Sequence, residues 1–162
     1  MINLATLDSK QSAVTDTFGP VVGEALNSFE TAQLKYETED WSDWFDLPIR
    51  LRFSNNSMVS IAWSKFDDLW LAKDSSTHFS MDGFEHRWLT NAVSLLAPAL
   101  NQHLRGVRIG RGFMTFGHLK PEIWTRLLLE FDHGYAEIFN ALDVNAFAFH
   151  EKMPEGEFIK CL

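Results

Sequence analysis

The segment LPIRLRFSNNSMVSIAW, residues 47–63, sets Ile49, Leu51 and Phe53 at every second position around Arg50 and Arg52. After a four-residue polar turn the same period returns in Val59, Ile61 and Trp63. Successive side chains of a strand point to opposite faces, so this pattern predicts a half-buried antiparallel hairpin. A second hairpin is predicted in TRLLLEFDHGYAEIFNAL, residues 125–142. Leu127, Leu129 and Phe131 run up to a turn at Asp132-His133-Gly134, and Ile138 follows on the return strand. Leu128, Tyr135 and Phe139 make the opposite face of this hairpin apolar too, so that face must also be covered.

The resemblance between the hairpins extends outwards. Aligning Phe53 with Phe131 and Ile61 with Ile138 brings DDLWLAK (68–74) near VNAFAFHEK (144–152). Upstream, PVVGEALN (20–27) and LLAPALN (95–101) each precede a candidate strand, ETAQLKY and RGVRIG. The order of elements therefore recurs, at about 19–75 and 93–152, each unit being a short helix or turn followed by four strands. The expected fold is α+β, mainly β: two pseudo-repeated antiparallel β units packed face to face as a sandwich, in a single domain over 1–162, with one or two helices. One helix is expected over about 84–96, where Phe84, Trp88, Val93 and Leu96 have mixed three- and four-residue spacings. Residues 1–18 read as a first strand or a loosely held arm.

With 162 residues, 46% of them apolar and 14% aromatic, the chain can bury an ordinary core and is not disordered. The start, MINLATLDSK, has neither the basic region nor the apolar run of a secretory signal, and no apolar run approaches membrane-spanning length. One cysteine, Cys161, excludes an internal disulfide and suits a reducing cytosol. Its alternation with Ile159 places it in a buried last strand.

Net charge is −8, unevenly spread. Glu30, Glu37, Glu39, Asp40, Asp43 and Asp46 face only Lys35 between positions 30 and 46, whereas Arg105, Arg108, Arg111, Lys120 and Arg126 face only Glu122 further on. A polyanion would be repelled and a basic protein attracted, so nucleic acid is not the expected partner.

Enzyme signatures are missing: there is no G-x-S-x-G, Walker loop, H-E-x-x-H or C-x-x-C. Gly110-Arg111-Gly112 reads as a turn after a strand. Asp82 and His86, with His78 nearby, have spacing a metal could use, but the ordinary reading is polar residues at a helix start, and no metal or cofactor is expected. His133 between Asp132 and Gly134 is explained by its turn, with positive φ at the glycine and the aspartate bonding local backbone. Glu130 and Glu137 flank the same hairpin and could face each other as a catalytic carboxylate pair, though pairing with a nearby lysine or arginine explains them better.

The stretch YETEDWSDWFD, Tyr36 to Asp46, combines five carboxylates with four aromatic rings. Its rings either tuck back onto the first hairpin or form, with the acids, a binding face for a basic partner; both hold if Trp44 and Phe45 pack inward while Trp41 and the acids point outward. The candidate partner-binding residues are Glu37, Glu39, Asp40, Trp41 and Asp43, with Asp67 and Asp68 in the loop after the first hairpin.

A strand ending in Phe, a turn, a return strand and then Asn140-Ala141-Leu142-Asp143 with Asn145 resembles immunity proteins of bacterial contact-dependent growth inhibition and related polymorphic toxin systems. The resemblance spans about residues 20–152. It implies a cytosolic, non-catalytic protein that binds and neutralises one cognate toxin C-terminal domain, often a nuclease. The alternative is a small-molecule- or sugar-binding β module, or a small enzyme, with Trp63, Trp70 and Trp124 lining a pocket between the sheets.

Overall fold

A computed structural model describes residues 6–37, 40–115, 117–119 and 121–162. Of residues 1–18, expected as a first strand or an arm, those described form helix α1 (Leu7–Phe18), while 1–5 lie outside the described residues. Thr6 caps it by accepting a hydrogen bond from the Ser9 N–H, and Asp8 in the first turn favours the positive end of the helix dipole. Lys10, Val14, Thr17 and Phe18 form its buried face, a helical spacing that a lysine disguises in the sequence.

A 3-10 turn (Gly19–Val21) leads into β1 (Leu26–Lys35), followed by β2 (Trp41–Asp43), β3 (Ile49–Phe53), β4 (Met58–Ser64), β5 (Asp68–Ala72) and β6 (His86–Thr90). A second 3-10 segment (Ser94–Ala99) precedes β7 (Leu104–Arg111), β8 (Trp124–Phe131), β9 (Gly134–Asn140), β10 (Asn145–His150) and β11 (Phe158–Lys160). All pairings are antiparallel, in a six-stranded sheet β2-β1-β3-β4-β5 with β6 also on β1, and a five-stranded sheet β10-β9-β8-β7-β11. The mainly β sandwich read from the sequence is therefore the fold. Within it the series 3-10 turn, long strand, hairpin, third strand occurs twice, as β1-β3-β4-β5 and as β7-β8-β9-β10. The two series touch at their starts, where Ala25 bridges His103 and the Gly23 and Leu104 N–H groups bond to Leu104 and Glu24 carbonyls.

Both hairpins have the predicted register. Ile49 opposes Ile61 and Leu51 opposes Val59; Leu127 opposes Ile138 across the second turn. Every inward residue named from the alternation is buried. Asn56 supplies the positive φ of the first turn and Gly134 (φ 112°) that of the second, where Phe149 and the His150 carbonyl also leave no room for a Cβ.

The helix expected over 84–96 is a strand, β6, and a 3-10 segment. Backbone need overrides the apolar spacing here: one edge of β1 pairs β3 at Glu30 and β2 at Gln33, and β6 satisfies the other edge from Glu30 to Leu34. Pro98 then limits the following turn to 3-10 geometry. The same segment covers Arg50, whose guanidinium stacks 3.4 Å from the Trp88 ring centre. Cys161 lies one residue past β11, half-buried and free, and burial raises its thiol pKa.

One apolar cluster from α1 and both sheets fills the space between them. The void there, beside Phe29, Leu51 and Leu129, is about 10 Å³, barely a water's worth. Polar clamps join the sheets. Asn145 (1% exposed) accepts from the Trp63 N–H at 3.0 Å and donates to the Ile61 and Leu47 carbonyls, while the Trp63 indole N–H donates to the Ile138 carbonyl at 3.0 Å. Lys10, fully buried, donates to the Trp124 carbonyl of one sheet at 2.8 Å and lies 3.7 Å from Asp67 of the other. Among the described residues no helix is long and apolar enough to cross a membrane.

Candidate functional site

Of the acidic-aromatic stretch, the described residues are Tyr36 and Glu37 just past β1, Asp40, the strand β2, and Trp44, Phe45 and Asp46 on the way to β3. It splits as its chemistry suggests. Phe45 packs edge-on against Phe147 at 5.2 Å, and Trp44 sits between the rings of Phe79 and Phe84 while its indole N–H donates to Asp46. Trp41 stays half-exposed at the sheet edge, with Arg87 4.4 Å and Lys35 5.8 Å from its ring. Gln33 fixes that corner: its carbonyl accepts two bonds from Arg87 and its amide donates to Asp43 at 3.0 Å.

Glu37, Asp40 and Asp43 are exposed, and among the described residues none of them is in an ion pair; Glu39 lies outside the described residues. The result is a strip of carboxylates around an aromatic ring on a strand edge. Asp67 and Asp68 are not brought to it. Asp67 lies in the turn between β4 and β5 and Asp68 opens β5, at the opposite edge of the sheet from β2, and Asp67 is engaged with Lys10. Nor do the three tryptophans line a pocket between the sheets: Trp63 and Trp124 are core residues, and Trp70 is half-buried against His78.

A cleft lies on the outer face of the second sheet, the face whose apolar residues demanded cover. Its volume is about 670 Å³ and its lining includes Arg126, Glu137 and His150. Arg126 and Glu137 are 5% and 4% exposed. The Arg126 Nε donates to Glu137 Oε1 at 2.6 Å, its Nη1 donates to the Glu155 carbonyl at 3.0 Å, and its guanidinium is stacked between Phe113 and Phe158 at 4.4 and 4.5 Å. Gly156 (φ 128°) is needed here, since a Cβ would strike Nη1. His150 Nε2 donates to the other Glu137 oxygen at 2.7 Å. A buried ion pair stands only when its remaining valences are met, and these contacts largely meet them.

Two tight turns form one lip of the cleft. Phe66 and Leu142 hold positive φ (54° and 58°) and are 66% and 86% exposed. Asp143 accepts from the Phe66 N–H at 2.6 Å, Asn140 donates to the Phe66 carbonyl, and the Asp143 N–H donates to Asn140 at 2.7 Å. The Asn140, Asp143 and Asn145 string thus ties the second sheet to the first.

The chain matches no known protein family, no curated protein and no solved structure.

Glu130 and Glu137 do share the outer face, but each has a cation: Arg108 lies 3.6 Å from Glu130, and Arg126 binds Glu137. At the hairpin tip Asp132 bonds the strand opposite, not its own turn. It accepts from the His103 backbone at 3.0 Å, from the His103 ring and from Arg105 at 2.6 Å, which together hold its carboxyl far below the ordinary carboxylate range. Among the described residues no three or more His, Cys, Asp or Glu side chains converge as a metal would require. His86 turns to the Phe84 carbonyl, and His78 packs on Trp70 and Phe79, where burial lowers its pKa. Sequence reasoning missed the cleft. Its trace was Arg126 and Glu137 at outward positions of a hairpin, among Leu128, Tyr135 and Phe139.

Proposed function

We propose that this chain is a cytosolic immunity protein that binds and neutralises a basic toxin domain, probing it with the strip Glu37, Glu39, Asp40, Trp41 and Asp43. The observation that carries the reading is the state of the acids: Glu37, Asp40 and Asp43 stand exposed around Trp41 and, among the described residues, in no ion pair, on the edge of a sheet with a filled core. Arg87 and Lys35 are drawn onto the Trp41 ring and not onto these carboxylates, which are left to steer a positive surface, and the half-exposed tryptophan supplies area once contact is made. The chain's net charge of −8 works in the same direction.

The test is stopped-flow association with the toxin domain encoded beside this chain, at about 50 and 500 mM salt. Wild type associates fast at low salt and much more slowly at high salt. Replacing Glu37, Asp40 and Asp43 together by alanine lowers the low-salt rate about tenfold and flattens the salt dependence. An unchanged rate moves the interface elsewhere, and no binding by wild type removes the reading.

A further inference from the structure

The geometry points to a second, separate binding site: the cleft on the outer face of the second sheet takes a small neutral amide with an apolar body. Its volume of about 670 Å³ suits a small molecule, and Phe113, Met114, Ile123, Phe139, Leu142 and Ala148 give it apolar walls. What selects the head group is the polar floor.

Arg126 is 95% buried, since only 5% is exposed, and its plane is fixed between Phe113 and Phe158. Nε and Nη1 are used within the protein, by Glu137 and the Glu155 carbonyl. Among the described residues Nη2 has no partner, and it is not sealed from water. Arg126 lines the cleft, so a ligand there can meet these donors. His150 supplies the complement: with Nε2 donating to Glu137, the neutral form of the ring presents Nδ1 as an acceptor, which among the described residues has no partner and is not sealed.

Charge then decides between head groups. Glu137 cancels Arg126, so the floor is neutral with a neutral His150 and offers one donor site and one acceptor. A carboxylate would set a second negative group beside Glu137 and bring two acceptors to a site that needs one. An amide brings a carbonyl for Nη2 and an N–H for Nδ1, matching a donor to an acceptor at both.

The site does not depend on the acidic strip, which belongs to the other sheet. Its test is an NMR titration of the full chain at pH 8 with hexanamide, hexanoate and acetyl-Gly-Leu-Gly-amide. Hexanamide is expected to shift Phe113, Met114 and Ala148 saturably and to bind about tenfold tighter than hexanoate. His150→Phe brings the two ligands within about twofold of each other, the loss expected when one hydrogen bond is deleted. If that variant does not fold, Leu142→Glu at the exposed rim is expected to abolish the hexanamide shifts while the thermal midpoint holds. Equal binding of hexanoate, shifts away from the cleft, or insensitivity to both substitutions overturns the assignment. So does peptide binding as tight as that of hexanamide, which would make the cleft a peptide groove.

Discussion

Asn145 on β10 accepts a hydrogen bond from the backbone N–H of Trp63 on β4 at 3.0 Å, wiring a buried amide of one sheet into a buried strand of the other. Removing it leaves the Trp63 N–H unpaired in a dry site, where such a group costs about 1–3 kcal/mol. Asn145→Ala and Asn145→Leu should therefore both lose about 2–3 kcal/mol in denaturant unfolding, since leucine restores volume but no acceptor. If leucine matched wild type, the clamp would be packing alone.

Lys10 is a core residue with a charge at its end. Lys10→Ala removes both the stem under Trp63 and the partner of Asp67, at about 3–5 kcal/mol. Lys10→Met keeps the stem, and Asp67 is exposed enough to be hydrated, but the Trp124 carbonyl loses its buried Nζ donor, so methionine should cost about 1–3 kcal/mol, less than alanine.

Burial also lowers the Lys10 pKa. Between that lowered value and the unfolded value of about 10.4, the unfolded chain binds more protons than the folded one, so this group makes stability rise with pH. Denaturation of wild type against Lys10→Met from about pH 8 to pH 10 should show the difference moving towards wild type as pH rises. A difference that stays flat would place the lysine in a hydrated site.

Asp132 has the same sign on the acid side. Its carboxyl is held low by the His103 N–H, the His103 ring and Arg105, so its contribution is complete above the unfolded pKa of about 3.9 and disappears as pH falls through the folded value. Asp132→Asn should be less stable than wild type at neutral pH, and the gap should narrow steadily as pH falls below about 4.

Glu137 is the only carboxylate bonded to the buried Arg126 guanidinium among the described residues. Glu137→Gln leaves that cation uncompensated and should cost about 3–5 kcal/mol, far more than Glu130→Gln, whose Arg108 partner is a quarter exposed. Urea melts of the two variants make the comparison.

What was legible in the sequence was whatever has a local period. Ile49, Leu51, Phe53 and Leu127, Leu129, Phe131 announced both hairpins and their buried faces, and the recurring order of elements announced two like sheets. Helix α1 was hidden because Lys10 fills an apolar position of its buried face. Strand β6 was hidden because its reason is the unpaired edge of β1, some 55 residues earlier. The acidic strip could be read as a run, but its separation from Asp67 and Asp68 is set by strand order, which alternation does not specify. Arg126, Glu137 and His150 come together only through the β8-β9-β10 register.

Co-expression with the basic toxin domain proposed as its partner measures the docking account most directly, by plating efficiency at matched levels of the chain. Wild type should restore growth, and the chain with Glu37, Asp40 and Asp43 all replaced by alanine should plate at least about tenfold lower. Full protection by the substituted chain, or none by wild type, would contradict it.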